Sequence, residues 1–565
     1  MEAAAALPAE ADLVVLGSGA AGLTAALSAA LEGLRPVVLE HQPVIGGTSA
    51  RSSGTVWVPD NPQMRAAGIT GDRALAENYL AALVGERADP AVWRAFLDAA
   101  PRMIADLDAR AGIAFRPYPA APDYRQELPG AAPGWRPLEP LAFDGRRLGH
   151  DFARLAPPLP ELMLLGGMMV TRGEAMQLMR ADRSPAAAWL GLRLVARHAL
   201  DRLRHARGTR LVLGNALVAR LLHALRARGV PVLTGVTAER LLLDGGRVAG
   251  VALTGGAEIR ARCGVVLAGG GFPASPEWRA AHLPEPVAAH TPAAPGCDGS
   301  TLALGLAAGA VLGPSGQDNA LWFPSSIATR ADGSTAVYPH IVLDRAKPGG
   351  LVVNAAGERF VNEAVSYHEF VRAMYAANRP GSNIPAWLVC DRAFVRRYGL
   401  GLIRPRTPSL RRFVDSGYLF EAPDLATLGA RLGLPAGRLE ATVARFNGFA
   451  ATGRDEDFGR GNSLYDRSNG DATVTPNPCL GPLRQPPFHA VRLEPTPLGT
   501  SRGISADATA RALDAAGRPV PGLFVCGNDM QSAFGGEYPG AGGQLAQGMT
   551  FGWLAARAAA GHRGS

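Results

Sequence analysis

The feature that most constrains this chain is Gly17-Ser18-Gly19-Ala20-Ala21-Gly22, three glycines spaced G-x-G-x-x-G close to its start. Leu13-Val14-Val15-Leu16 before it is a continuous apolar run, as a parallel strand needs when both its faces are covered. The alanine-rich stretch 20–30 reads as a helix, and Pro36-Val37-Val38-Leu39-Glu40 as a second strand. Strand, tight turn, helix and a strand ending in an acid form the unit that cradles a dinucleotide. Gly17 permits the turn, Gly19 lets the backbone approach a pyrophosphate, and Gly22 lets the helix lie on the sheet. The helix start offers N–H groups and a positive dipole end to phosphate. Glu40 is placed to accept from ribose hydroxyls and disfavours a 2′-phosphate. A ligand-free turn is the competing reading of the six residues alone, and the flanking strands argue against it.

At 565 residues the chain should hold two or three domains. The α/β pattern returns after residue 211: a helix over 211–229, then strands at 231–233, 240–243 and 248–253. Gly264-Val265-Val266-Leu267-Ala268 is a further buried strand, running into Gly269-Gly270-Gly271-Phe272. Residues 286–489 have another texture, mixed strands and helices with many prolines, and 490–565 revert to strand, glycine-rich loop and helix. The expected fold class is therefore α/β: a discontinuous Rossmann-type domain over 1–285 and 490–565, interrupted by an inserted α+β catalytic or capping domain over 286–489. Residues 75–113 read as helical and 114–150 as ordered but irregular.

Within the first part, 141–210 reads as a helical insertion. Leu162–Val170 is apolar, and 185–207 predicts an arginine-bearing helix with Trp189, Leu190 and Leu192 at its start. Two readings stay open for 150–205: a packed insertion, or an amphipathic element lying on a membrane with arginines toward the headgroups.

Composition removes several classes. The net charge of +8 is spread along the chain without basic runs or interleaved aromatics, which argues against nucleic acid and weakly favours an anionic membrane or substrate. Five scattered cysteines form no CxxC pair, so no disulfide framework, metal site or iron–sulfur cluster is expected. Residues 1–12 lack the pattern of a secretory signal, and no apolar run reaches the ~20 residues of a spanning helix. The expected location is cytoplasmic, on the cytoplasmic membrane face if 150–205 touches lipid.

Later motifs narrow the dinucleotide. Gly46-Gly47-Thr48-Ser49 followed by Ser53-Gly54 resembles the loop with which the fumarate reductase, succinate dehydrogenase and 3-ketosteroid dehydrogenase flavoprotein superfamily wraps FAD. Val265–Phe272 looks like that superfamily's strand ending in glycines and phenylalanine. Asn354–Glu363 resembles its G-x-R-F-x-N-E segment, and Pro521-Gly522-Leu523-Phe524-Val525-Cys526-Gly527-Asn528 its PGLYA-G-N turn. The likeness covers nearly the whole chain except 141–210. It implies FAD held by Gly17, Ser18, Gly19, Ala21, Gly22, Glu40, Gly46, Gly47, Thr48, Ser49, Ser53, Gly54, Val236, Gly269, Gly270, Gly527, Asn528, Gly542 and Leu545. No histidine stands between Thr48 and Gly54, so the attachment is expected to be non-covalent.

Two departures separate the chain from fumarate reductases. Their acid arginine, five residues past the asparagine of the N-E pair, is replaced by Tyr367, and their H-G-x-N-R motif by Gly535–Gly543. Tyr538-Pro539-Gly540-Ala541-Gly542 and the tyrosine after N-E resemble the 3-ketosteroid Δ1-dehydrogenases. That resemblance implies that the Tyr538 hydroxyl and the Gly542 N–H bind a keto oxygen and that Tyr367 takes the adjacent proton. It also implies a supporting tyrosine, best matched by Tyr124 with Tyr118 as competitor. Two donors on the oxygen stabilise enolate-like charge, and a hydrogen-bonding neighbour stabilises a phenolate. Trp322, Phe323, Met374 and Tyr375 are read as core rather than as cleft, and His340 and His368 are assigned no role. The expected reaction is dehydrogenation beside the ketone of a 3-ketosteroid, with a quinone or another carrier as electron acceptor. Its rivals are another steroid position, a non-steroidal cyclic ketone, and a non-catalytic electron-relay flavoprotein.

Overall fold

The computed structural model describes residues 7–178, 181, 184–341, 344–376 and 382–561. Its larger sheet runs in the order Arg511–Leu513, Pro519–Val525, Glu258–Leu267, Glu10–Leu16, Pro36–Glu40, Val232–Thr234. The strands from Pro519–Val525 to Val232–Thr234 pair in parallel, and the hairpin Ala238–Asp244 and Arg247–Leu253 extends Glu258–Leu267 antiparallel. Helix Ala20–Leu31 packs against Leu213–Arg226 and the C-terminal helix Gly543–Gly561. That second contact explains a glycine: a Cβ at Gly552 would stand 2.5 Å from the Ala21 carbonyl oxygen. Chain from both ends thus builds one cofactor-binding fold, discontinuous in sequence.

The second sheet has the order Thr335–Pro339, Ala320–Thr329, Phe488–Thr500, Ala386–Asp391, Gly350–Val353, with Phe420–Ala422 also pairing with Phe488–Thr500. A boundary at 489/490 assigns Phe488–Thr500 to the cofactor fold, whereas the strand lies inside this second sheet. Its apolar pattern suits either sheet, and only pairing distinguishes them.

Other elements differ at their ends. The helix read over 75–113 is two helices, Asp72–Val84 and Pro90–Ala111, separated at Gly85 (φ +56°) and restarted by Asp89, whose side chain accepts from Ala91 N–H. The helix read over 211–229 is Leu213–Arg226, preceded by the short strand Arg210–Leu211. The helix read over 185–207 ends at Arg202. Within 46–54, Gly47–Arg51 is helical. The irregular stretch 114–150 contains Phe115–Pro117 and Pro137–Pro140, and the latter pairs with both Phe115–Pro117 and Val56–Trp57 in a three-stranded sheet.

This small sheet is pinned by a buried ion cluster. Arg136, with no exposed surface, donates to both Asp72 oxygens at 2.9–3.1 Å, to Asp123, and to the Gly130 carbonyl at 2.9 Å. Removing a buried ion's partner typically costs about 3–5 kcal/mol. Arg136→Leu, which strands two carboxylates, is therefore expected to lower unfolding free energy by about that amount in denaturant titration. A loss below about 1 kcal/mol would show that the cluster is not desolvated.

Candidate active site

A cavity of about 790 Å³ runs from the first glycine turn to the face of the second sheet. At the turn, Gly17 has φ +108° and a Cβ there would meet the Ala268 carbonyl oxygen at 2.3 Å. The space beside Gly19 is open, with only Ser49 Oγ near a Cβ position, at 3.6 Å. Glu40 sits beneath the turn: its Oε2 accepts from Ser18 N–H (3.0 Å) and Ser18 hydroxyl (2.6 Å), and its Oε1 from Gln42 N–H (2.9 Å). The acid thus organises the loop as well as bordering the cavity.

Of the predicted cofactor residues, Gly17, Ser18, Gly19, Ala21, Glu40, Gly47, Thr48, Ser49, Ser53, Val236, Gly269, Gly270, Gly527, Asn528, Gly542 and Leu545 line this cavity. Gly22, Gly46 and Gly54 lie behind its wall, where close packing demands glycine. Added Cβ atoms would come within 2.1 Å of Gly17 O, 2.8 Å of Ala50 Cβ and 2.6 Å of Gly214 N respectively. Glycine-lined backbone at Gly19 and Gly269–Gly270, a helix start and a ribose-accepting acid fit a bound dinucleotide. Sequence reading missed Asp529, which accepts from Gly269 N–H (2.6 Å) and Gly271 N–H (2.8 Å) and so shapes that turn. It also missed Gln544, which donates to Asn528 Oδ1 at 2.7 Å. The acid directly after Gly527-Asn528 was a usable signal; Gln544 had none.

Beyond this end a cluster of four packed tyrosines borders the cavity. Tyr367 is the first residue of helix Tyr367–Ala376, and the Tyr124 hydroxyl donates to its hydroxyl at 2.8 Å. Tyr538 packs against both, with ring centroids 5.6 Å from Tyr367 and 5.4 Å from Tyr124. Tyr465, not singled out in the sequence, lies 5.0 Å from Tyr124. Phe323, expected in the core, instead borders the cavity 4.7 Å from the Tyr367 ring. Trp322 and Met374 are core, as expected. Tyr118 also borders the cavity, but its ring lies under Arg172, 5.8 Å away.

The segment Asn354–Glu363 serves as scaffold. Glu363 is fully buried and accepts from Arg359 (2.7 and 2.8 Å), Arg460 (3.1 Å) and Val352 N–H (3.2 Å), and Arg359 also grips Asp455. This network sets where the helix bearing Tyr367 begins. On the opposite wall, Trp57 N–H donates to Gly542 O (3.2 Å) and Tyr124 N–H to Pro539 O (3.1 Å). Gly542 has φ +92°, and a Cβ there would meet Thr55 O at 2.2 Å.

The site is dry. Burial, then the neighbouring phenols Tyr124 and Tyr538, push the Tyr367 hydroxyl well above the usual phenol range. Burial also raises Tyr124 strongly and moves Tyr538 up to about 12. His368, buried beside Tyr538, is driven well below the usual imidazole value by burial and by Arg372. At neutral pH these groups are uncharged, so the phenols are hydrogen-bond donors at rest.

Known proteins resemble this chain over nearly its whole length. The chain matches the family model described as an FAD binding domain over residues 12–545. It is 38% identical to a 3-oxosteroid 1-dehydrogenase of Mycobacterium tuberculosis, over 97% of this chain and 98% of that protein. It is 37% identical to a 4-oxocyclohexanecarboxylate 2-dehydrogenase of Sinomonas cyclohexanicum, over 97% and 93%. Among solved structures, the 3-ketosteroid delta1-dehydrogenase of Sterolibacterium denitrificans in complex with 1,4-androstadiene-3,17-dione superposes with TM-score 0.92 at 36% identity, covering 98% of this chain and all of that one. The chain belongs to the FAD-binding flavoprotein family that includes the 3-oxosteroid 1-dehydrogenases, and it is an FAD-dependent oxidoreductase.

Proposed function

We propose that this protein introduces a carbon–carbon double bond beside the ketone of a 3-ketosteroid, at C1–C2. The observation that carries the reading is the 2.8 Å Tyr124–Tyr367 hydroxyl contact, set against Tyr538 on the cavity that the flavin-binding turns also line. The Tyr538 hydroxyl and Gly542 N–H bind the keto oxygen and stabilise negative charge gathering on it. Tyr367 removes the proton from the carbon next to the ketone, with the Tyr124 hydroxyl donating to its oxygen at 2.8 Å while burial raises both phenols. Bound FAD would supply the acceptor for the hydride of the neighbouring carbon, so that loss of the proton and of that hydride would leave the substrate with one double bond more. The rings of Tyr465 and Phe323 keep water away. The flavin is held without a covalent bond, by the turns at Gly17–Gly19, Gly47–Ser49, Gly269–Gly270 and Gly527–Asn528. The inserted catalytic domain starts near 286 and includes the strand Phe488–Thr500, and the electrons leave to a quinone or another external carrier. A smaller cyclic ketone is a second reading, favoured by the 37% identity to the 4-oxocyclohexanecarboxylate dehydrogenase.

We further propose that the helix Pro185–Arg202 rests on an anionic lipid surface. It exposes Trp189 (65%), Leu192 (60%) and Leu200 (68%), with Leu203 (78%) just beyond it. The exposed cations Arg193, Arg197, Arg202 and Arg204 accompany them. Among the described residues no helix is long and apolar enough to cross a membrane, so contact would be peripheral.

Anaerobic mixing with 3-ketosteroids and simple cyclohexanones should bleach the oxidised flavin band with the steroids, and absence of bleaching by any of them defeats the reading. Tyr367→Phe should retain FAD and slow bleaching by about 10²–10⁴; undiminished bleaching would remove Tyr367 as base and favour an electron relay. Because burial raises this phenol and the reactive form is its phenolate, the reduction rate should climb about tenfold per pH unit until the phenol titrates. A flat profile between about pH 7 and about pH 10 contradicts a phenolate base. The protein should float with phosphatidylglycerol vesicles at low salt and less so after Leu192→Asp with Leu200→Asp; equal flotation of the two dismisses the lipid contact.

A further inference from the structure

The cavity does not end at the tyrosines. It continues to a wall built from segments 158–178 and 398–406, on which Arg172, Arg404 and Arg406 stand. Arg172 opens the helix Arg172–Leu178 and is half-buried. Its Nη2 donates to Asn469 Oδ1 (2.8 Å) and to the Ser468 carbonyl (3.4 Å). Arg404 is exposed at the rim and uses its Nη2 on the carbonyls of Met163 and Glu161. The Nε and Nη1 donors of both have no acceptor among the described residues.

The carboxylates bordering the cavity have other partners, although Glu161 is engaged through Oε1 alone and its Oε2 has none among the described residues. Glu161 pairs with Arg330 (2.6 Å), Glu139 with Arg116 (2.7 Å) and Asp344 with His340 (2.6 Å), while Glu40 holds Ser18. Among the described residues, no carboxylate neutralises Arg172 or Arg404. Two half-used guanidinium forks on a substrate cavity are suited to a planar anion, because the fork matches a carboxylate bidentately. Arg172 also lies within electrostatic reach of the catalytic cluster, where it favours the ionised forms of Tyr124 and Tyr465. Arg172 and Tyr538 line the same cavity, so a molecule held at Tyr538 by its ketone can meet this charge with its other end.

We propose that the substrate is an oxo acid, its keto group at Tyr538 and Gly542 and a carboxylate at its opposite end paired with Arg172, with Arg404 assisting at the rim. This deepens the ring-ketone reading and rests on it. The carboxylate has two sources, a steroid side chain or the ring of a small cyclohexanone. The rival role for Arg172 is a latch that ties 158–178 to the helix Leu464–Asn469 and has no part in recognition.

The test compares matched pairs on the FAD-loaded protein by flavin reduction. One pair is a 3-oxo steroid whose side chain ends in a carboxylate or in the primary carboxamide; the other is 4-oxocyclohexanecarboxylate and its carboxamide. A charge-assisted contact should favour the acid about tenfold in kcat/KM in one pair, chiefly through KM and less at high salt. The pair that shows it identifies the source. Arg172→Gln should bring the acid-to-amide ratio toward one, and Arg172→Lys should keep part of it. A latch would lower both members equally and leave the ratio standing. A ratio of one for both pairs in the unaltered protein overturns the proposal, as does a preference that survives Arg172→Gln combined with Arg404→Gln. Failure of the ketone reading looks different: neither acid nor amide bleaches the flavin, and the oxo-acid proposal falls with it.

Discussion

Asp123 is the constraint on which the site depends. Fully buried, it accepts from the Trp57 indole N–H (2.7 Å), from Ala132 N–H (2.9 Å) and from Arg136. Those three contacts bind segments some seventy-five residues apart into one block, and each neighbour has a task. Trp57 supports the 538–542 loop, where a Cβ at Gly540 would come within 2.6 Å of its ring. The residue after Asp123 is Tyr124, and its N–H holds the same loop through Pro539 O. A charge buried this deeply persists only because every acceptor is matched. The same matching leaves Tyr124 and Tyr538 little freedom to drift from Tyr367.

Burial works against the proposed chemistry and also makes it effective. It raises every phenol in the cluster, so a phenolate is costly to form. Yet at a buried site two donors on a keto oxygen act far more strongly than in water, and the Tyr124 hydroxyl lies 2.8 Å from that of Tyr367. The cavity also changes character along its length. Backbone amides and glycine turns serve the cofactor end, phenols and Phe323 the middle, and arginines the far wall. That gradient suits a flat apolar ring system with polar groups at its two ends.

Much of the cofactor end was legible because its physics is local. A tight turn needs positive φ at Gly17, and a helix start needs open backbone at Gly19; both requirements act within six residues and leave a pattern. The same holds for Tyr538–Gly542. Legibility failed where a role comes from distant chain. Tyr465 and Phe323 belong to no motif and join the cluster only because the second sheet and the helix Leu464–Asn469 fold over Tyr124. Gly22, Gly46 and Gly54 carry the family signature, but serve packing behind the cavity wall. The strand Phe488–Thr500 is apolar enough for either sheet, so its membership was decided by pairing partners and not by its own composition.

By itself, the sequence determined the dinucleotide turn, the discontinuous cofactor fold and the tyrosines that separate this chain from the dicarboxylate reductases. Each of these rests on short-range backbone geometry or on residue types at fixed spacing. Only the tertiary structure decided that Tyr124, the better match in sequence, and not its competitor Tyr118 six residues away, touches the Tyr367 hydroxyl. It also decided that the insertion contributes Arg172 to the cavity wall while turning Trp189 and Leu192 outward. Side-chain direction across 243 residues of separation is set by packing, and no local pattern encodes it.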